Sequence, residues 1–334
     1  VGSHRRLAPS GFDRGSSVAL TLLSITAAAL AAVPAAAEPR EDARTAVDRL
    51  HTEAEKATEA YNEADERADE LRRKAGAVRD RLARQQERVN TLRETLGSLA
   101  GAQYRSGGID PSLALLFSDD PDDYLDKASV LDRIGARQAG ELKGLQKALR
   151  TLAQDRAEAA RTLAELTRNR RAAAAHKRTV ERKLSAARRL LNSLPDAERA
   201  AYDRASRASR TGPAGAVPAS GRAAAAVAAA RSALGKPYIW GANGPGGFDC
   251  SGLTQWSYAQ AGIALPRTSQ AQRYAGRRIP LSQARPGDLV VYRDDAGHVA
   301  MYVGGGQVIH APRPGASVRY DPVGMMPVSS VTRI

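Results

Sequence analysis

From Val47 the apolar residues of this chain step by three and four: Val47, Leu50, Ala54, Ala57, Tyr61, Ala64, Ala68, Leu71, Ala75, Val78 and Leu82, then Val89, Leu92, Leu96 and Leu99. Only Gln85 breaks the series. Steps of this kind average about 3.5 residues, the period at which a helix keeps one stripe turned toward a partner helix. A chain with this pattern is committed to a long helix packed on another. The partner is supplied further on, where Ala128, Leu131, Leu142, Leu145, Leu149, Leu152, Leu163, Leu166, Val180, Leu184, Leu191 and Leu194 repeat the pattern less cleanly. Arg156, Arg170 and Lys177 fall on that second seam, so the second arm is expected to be looser.

Between the arms lies Gly101–Asp126. Gly107, Gly108 and Pro111 are stop signals for the first helix, and Asp119, Asp120, Asp122 and Asp123 favour the positive start of the second. The short apolar run Leu113–Phe117 reads as a small helix at the tip. Two long antiparallel helices with a compact tip follow, over residues 38–206 with the tip at 101–126. Such a hairpin serves either as a spacer or dimerisation rod or as a regulatory arm that docks to a partner. Periodicity does not separate the two.

The N-terminus has the form of an export signal over residues 1–37. His4, Arg5, Arg6 and Arg14 precede the apolar run Ser17–Ala37, and Ala35, Ala36 and Ala37 offer the small residues a signal peptidase reads. An uncleaved membrane anchor is the alternative, since the run approaches the ~20 residues of a bilayer span. Either reading places the remainder outside the cytoplasm, secreted and associated with the cell wall if the signal is cleaved and anchored to the membrane if it is not. The net charge of +14 then points to anionic wall polymers or lipid rather than to nucleic acid.

After Tyr202 the pattern dissolves into Pro, Gly, Ser and Ala, a flexible linker over residues 207–222. Residues 223–334 have the composition of one compact domain, with both tryptophans and the chain's one cysteine, Cys250. A single cysteine makes no internal disulfide, so Cys250 is either an inert buried thiol or a reactive one. It follows a glycine-rich loop and opens a stretch with helical spacing, Leu253, Trp256, Tyr258 and Ala261. At a helix start, unpaired N–H groups and the helix dipole favour a thiolate.

Three apolar runs then alternate with turn residues: Leu289–Tyr292, His298–Val303 and Gln307–Ala311, with Gly304–Gly306 as the hairpin between the last two. His298 opens one strand and His310 lies near the end of its neighbour, so the hairpin brings both imidazoles to one end of the ladder. That is the placement of a base and the group that orients it, with His298 toward Cys250 and His310 behind. A metal site is the rival reading. It lacks an HExxH motif or a tight Cys/His/Asp cluster.

Residues 223–334 resemble the NlpC-type cell-wall peptidases, a papain-like family. The matching pieces are Pro237–Gly241, Gly247–Leu253, Leu265–Gln272, Arg285–Tyr292, the run from His298 and the Val308–Pro312 stretch, in the family's order. The resemblance implies an α+β fold with a Cys-bearing helix packed on an antiparallel sheet. It implies Cys250 as nucleophile, His298 as base and His310 as the third, polar member. Tyr238 would border the site and stabilise the oxyanion, unless it is a packing aromatic, and Asp249 and Ser251 would contact substrate. The implied reaction is hydrolysis of the γ-D-glutamyl–meso-diaminopimelate bond of peptidoglycan stem peptides, with no metal or organic cofactor. Ala242 stands where a second glycine is common, away from any reacting atom. The helical region resembles modules of division-associated wall hydrolases, some controlled by an FtsEX-type membrane complex. An amidase or transpeptidase acting on another bond of the polymer, or a scaffold with an inactive terminal domain, are the alternatives.

Overall fold

The structure, a computed structural model, describes residues 42–105, 121–206, 218 and 220–334. The expected signal at 1–37, the tip helix at Leu113–Phe117 and most of the 207–222 linker lie outside the described residues. Among the described residues no helix is long and apolar enough to cross a membrane.

The heptad-like stripe does form a long helix, α1 (Ala43–Arg105), which packs against α2 (Pro121–Asn192). The two are antiparallel, because contacts that climb along α1 descend along α2. Arg67 Nη2 meets Glu165 at 2.7 Å, Arg81 Nε meets Asp155 at 2.9 Å, and Val89 packs with Ala148 and Leu152. On α1 the buried apolar residues are those of the stripe: Val47, Ala54, Ala57, Ala64, Ala68, Leu71, Val78 and Val89.

The second arm departs from its expected seam. Leu142, Leu149 and Leu163 are 50%, 36% and 61% exposed, while Ala148, Ala173 and Ala187 are buried instead. Alanines let two backbones approach closely. The expected seam position Arg156 instead donates to Gln86 Oε1 at 2.9 Å across the hairpin. A short helix, α3 (Asp196–Ser206), follows.

The rest of the chain builds a helix-on-sheet domain. Helix α4 (Gly221–Ser232) is capped by Ser220, whose hydroxyl accepts from the Ala223 N–H, and it packs on α5 (Cys250–Gln260). After the four-residue α6 (Ser269–Gln272) come β1 (Arg277–Ile279), β2 (Leu289–Tyr292), β3 (His298–Gly304), β4 (Gln307–His310), β5 (Arg319–Pro322) and β6 (Val328–Arg333). The sheet order is β1-β6-β2-β3-β4-β5, and every neighbouring pair is antiparallel. Gly304, Gly305 and Gly306 all take positive φ (95°, 59° and 70°), which lets β3 reverse tightly into β4.

Strand alternation gives the sheet two apolar faces. Leu289, Val291, Val299, Met301 and Ile309 share a core with Leu253, Tyr258 and Phe248 of the helical layer. Val290, Tyr292, Ala300, Val308 and Val331 form a second cluster on the opposite face. His298 and His310 fall in register with Ala300 and Val308, so both lie on that second face near one end of the ladder. The Cys-bearing helix on an antiparallel sheet is the papain-like arrangement that the sequence led us to expect.

Leu71 sits in a small cluster with Ala68 and Leu166 and is 2% exposed. Leu71→Ala is expected to remove about 2–5 kcal/mol of hairpin stability, read as a lower urea midpoint of the helical circular-dichroism signal.

Candidate active site

Cys250 is the first residue of α5. Asp249 caps that helix, its Oδ1 accepting from the Gly252 N–H at 2.7 Å. The glycine at 252 is required by space: a Cβ there would lie 2.2 Å from the Ala242 carbonyl oxygen. The glycine-rich loop therefore presses against the start of α5 and fixes the position of the sulfur. Asp249 is in turn clamped by Arg267, with Nη1 to Oδ1 at 3.0 Å and Nη2 to Oδ2 at 2.6 Å. This two-pronged pairing makes Asp249 and Arg267 a rigid buried unit.

His298 stands at the head of β3. Its Nε2 lies 2.8 Å from His310 Nδ1, with the rings perpendicular and their centroids 5.1 Å apart. A ring nitrogen of His298, the sulfur of Cys250 and a carboxylate oxygen of Glu55 all lie within 4.8 Å of one another. The structure thus brings Cys250, His298 and His310 into one cluster. Tyr238 is buried in the same core, with Cys250 and the carboxylates of Glu55, Asp249 and Glu59 as its electrostatic neighbours. Ser251 faces the cluster beside Asp249, its Oγ accepting from Arg267 Nη1 at 3.0 Å.

What the sequence did not announce is the lid over this cluster. One face of α1, carrying His51, Glu55, Glu59 and Asn62, is buried against the domain. Glu55 Oε1 hydrogen-bonds His298 Nδ1, and its Oε2 accepts from Arg293 Nη1 at 2.7 Å. Glu59 Oε1 accepts from Ser251 Oγ at 2.8 Å and from the Cys250 thiol at 3.5 Å. Its other oxygen accepts from the Ser269 N–H at 2.8 Å. Asn62 Nδ2 donates to Asp249 Oδ2 at 3.1 Å. Further along the same helix, Tyr61 packs edge-on against Trp240 at 5.3 Å. His51, buried with neither ring nitrogen hydrogen-bonded, is pushed down to about 4 by burial and by Arg313.

The lid reverses the expected electrostatics of the sulfur. A helix start favours a thiolate, yet Cys250 is 1% exposed and its thiol is pushed well up. Burial is the main cause, and the carboxylates of Glu59, Glu55 and Asp249 add to it. A thiolate at the helix start was the expectation. In this structure the sulfur is covered, protonated and donating to Glu59. The helix dipole is local and partial, whereas the thiol is fully desolvated and ringed by acidic side chains.

The acidic residues of the lid are held in different ways. Burial raises Glu55, but His298 and Arg293 together bring it below the usual carboxylate range. Burial and the neighbouring Asp249 push Glu59 up to about 7, against the smaller pull of the Ser269 N–H, the Ser251 hydroxyl and Arg267. Both glutamates were missed in the sequence. Their signal was present as a polar stripe, His51, Glu55 and Glu59 at every fourth residue, but a solvated helix face has the same spacing. Arg267 lies in the Leu265–Gln272 segment that carried part of the resemblance and was not singled out.

The domain that holds this cluster is similar to known proteins. The model of the NlpC/P60 family matches residues 235–331. A probable endopeptidase of Mycobacterium tuberculosis is 46% identical over 105 residues, covering 31% of this chain and 27% of that protein. A probable endopeptidase of Corynebacterium glutamicum is 45% identical over 118 residues, covering 35% of this chain and 56% of that protein. The chain thus spans about a quarter to about half the length of these relatives. Among solved structures, the NlpC/p60 domain of the peptidoglycan hydrolase SagA is 42% identical, covers 34% of this chain and 98% of that one, and has a TM-score of 0.32. The peptidoglycan hydrolase RipB of Mycobacterium tuberculosis is 31% identical, covers 41% and 85%, and also has a TM-score of 0.32.

The raised Glu59 has a pH consequence. Docking of α1 favours the protonated carboxyl, so this contribution is full below the ordinary carboxylate value of about 4.5 and is lost as the pH rises from there through about 7. Glu55, held low, opposes this only where the pH falls through its own depressed range. With Trp256→Phe as background, the fluorescence of Trp240 beside Tyr61 is expected to titrate with a midpoint near 7. Glu59→Gln is expected to abolish that transition.

Proposed function

We propose that this chain, which carries an NlpC/P60 domain at residues 235–331, is a peptidoglycan endopeptidase held latent by its own helix α1. The observation that carries the reading is the meeting of Cys250, at the start of α5, with His298 and His310 at the end of one β-ladder. A thiol at a helix N-terminus beside an oriented imidazole is the arrangement of nucleophilic acyl transfer.

In the open state the proton of the Cys250 thiol passes to His298, and the thiolate attacks the amide carbon of the substrate. The backbone N–H of Cys250 and the hydroxyl of Tyr238 face the oxyanion that forms. The imidazolium gives its proton to the leaving amine, and a thioester remains. Water, deprotonated by His298, resolves the thioester and frees the sulfur. The bond we assign is γ-D-glutamyl–meso-diaminopimelate in stem peptides, with Asp249 and Ser251 at the substrate's side of the sulfur. The chemistry asks for no metal or organic cofactor.

None of these steps runs while α1 is docked. Glu55 holds the His298 nitrogen that the thiol needs, and Glu59 accepts the thiol proton. Withdrawing the helix removes two carboxylates from the sulfur and returns the helix dipole to control. The hairpin is then the handle of the latch, and a regulator of the FtsEX type would work by drawing α1 from the site. The basic charge and the export-like N-terminus support a location outside the cytoplasm, against anionic wall polymers, where remodelling or daughter-cell separation needs timed cleavage.

Full-length protein incubated with purified muropeptides is expected to be nearly inert. The Glu55→Ala/Glu59→Ala variant is expected to cleave at least about 10-fold faster, since losing even one buried ion pair is worth several kcal/mol to docking. Its product is a fragment beginning with diaminopimelate, identified by mass. An intact stem peptide released from the glycan would make the enzyme an amidase. Activity surviving Cys250→Ala in the open variant would overturn the nucleophile, and equal rates for latched and open forms would overturn the latch.

A further inference from the structure

The hydrogen bonds around His310 do not end at His298. Strand β5 pairs with β4 so that Arg319 lies opposite His310 and Asp321 opposite Val308. Alternation puts Arg319 and Asp321 on the same face as both histidines. There His310 Nε2 lies 2.8 Å from Asp321 Oδ2, and Arg319 Nε donates to the same oxygen at 2.8 Å. A chain of hydrogen bonds therefore runs from Asp321 through His310 to His298, all within four neighbouring residues of three consecutive strands.

We propose that Asp321 is a positioning residue of the catalytic centre: it fixes the tautomers of His310 and His298 in series and thereby leaves His298 Nδ1 as the base for Cys250. The proposal rests on the reading of Cys250 as nucleophile and His298 as base.

A neutral imidazole carries one N–H and one lone pair, and an ionised carboxylate only accepts. Burial opposes ionisation of Asp321, but His310 and Arg319 bring it below the ordinary carboxylate range. Burial also pushes His310 down to about 4, so the ring is neutral at ordinary pH and has a single proton to place. Asp321 draws that proton to Nε2. The Nδ1 of His310 is then a lone pair, and the bond to His298 at 2.8 Å requires His298 Nε2 to donate. While α1 is docked, His298 Nδ1 donates to the Glu55 carboxylate; once Glu55 is withdrawn, neutral His298 is left with its lone pair on Nδ1. The proton of the Cys250 thiol moves to that lone pair, and the sulfur keeps the electron pair.

Other charged groups face the relay without replacing Asp321. Arg293 pairs with Glu55, His51 and Arg313 line one cavity with His310 and Asp321, and Tyr292 lies beside His298 with ring centroids 5.8 Å apart. An amide at position 321 either donates or accepts. Where it donates, His310 carries its proton on Nδ1, His298 Nε2 must accept, and the single proton of neutral His298 sits on Nδ1. The base is then blocked although no atom of the site has moved.

The test uses full-length protein labelled with ¹⁵N-histidine, in the Glu55→Ala/Glu59→Ala background that frees the sulfur. Two-bond ¹H–¹⁵N spectra report which nitrogen of each ring is protonated. With Asp321 present, His310 is expected as Nε2–H and neutral His298 as Nε2–H; a His310 Nδ1–H form overturns the proposal with no substitution at 321. Asp321→Asn is expected to mix or invert these tautomers. It should also slow iodoacetamide alkylation of Cys250 at neutral pH by about 10–100-fold, the range for removing a group that orients an imidazole. The alkylation profile should then move toward the ordinary thiol range near pH ~8.5, and Asp321→Glu should recover part of the rate. Unchanged tautomers and an unchanged alkylation profile in Asp321→Asn overturn the proposal. If that variant does not fold, the spectrum of the Asp321-containing protein decides. Neither readout uses peptidoglycan, so a failure to cleave muropeptides would count against the proposed reaction and leave this test standing.

Discussion

The carboxylate of Glu55 against the imidazole of His298 is the contact on which the state of this molecule depends. Both groups are buried, and an unpaired charge in that position would be costly enough to keep the helix away. The pairing with His298 and with Arg293 on the other oxygen lets α1 enter the domain at all. Once it has entered, the rest follows from proximity. Glu59 is carried onto the sulfur, Asn62 onto Asp249 and Tyr61 onto Trp240. The thiol loses its solvent and gains two acidic side chains beside Asp249, so Cys250 is held as a thiol although it stands at a helix start.

Beneath the lid the site is assembled from rigid parts. The sulfur is set by a capped helix start, the Asp249–Arg267 clamp and the tight approach of the Ala242 carbonyl to Gly252. The imidazoles are set by strand register and by a line of hydrogen bonds that ends on a carboxylate and a guanidinium. Buried polar groups in such a line must all be satisfied or the whole line is unfavourable, which is why its far end matters to its near end. The two halves come from different layers, helix and sheet, and α1 lies against both. One helix therefore covers the Cys250 thiol and the His298 imidazole together.

Much of this was legible in the sequence, and the exceptions have physical causes. The seam of α1 was readable because apolar burial repeats with the helix period. The seam of α2 was readable only in part: Leu152, Leu166, Val180 and Leu184 are buried as expected, but Ala148, Ala173 and Ala187 join them, while leucines such as Leu163 face outward. The pairing of His298 with His310 was readable because a three-glycine hairpin reflects one strand onto the next. Asp321 was not, because its strand returns only after a loop whose length says nothing about register. Glu55 and Glu59 were invisible for a different reason. A buried carboxylate and a solvated one have the same spacing on a helix, and only the partner reveals which it is.

By itself the sequence determined the local elements: a long helical hairpin, a cysteine at a helix start, and two histidines at one end of a hairpin ladder. These depend on periodicity, caps and turns, which act over a few residues. The tertiary structure alone decided that the hairpin folds back over the domain, that Cys250 is covered and protonated, and that His310 is tied to Asp321. Those outcomes join residues about 190 or more positions apart, or strands whose register no local rule supplies. The energy of a buried charge depends on what surrounds it, and its surroundings exist only after the chain has folded.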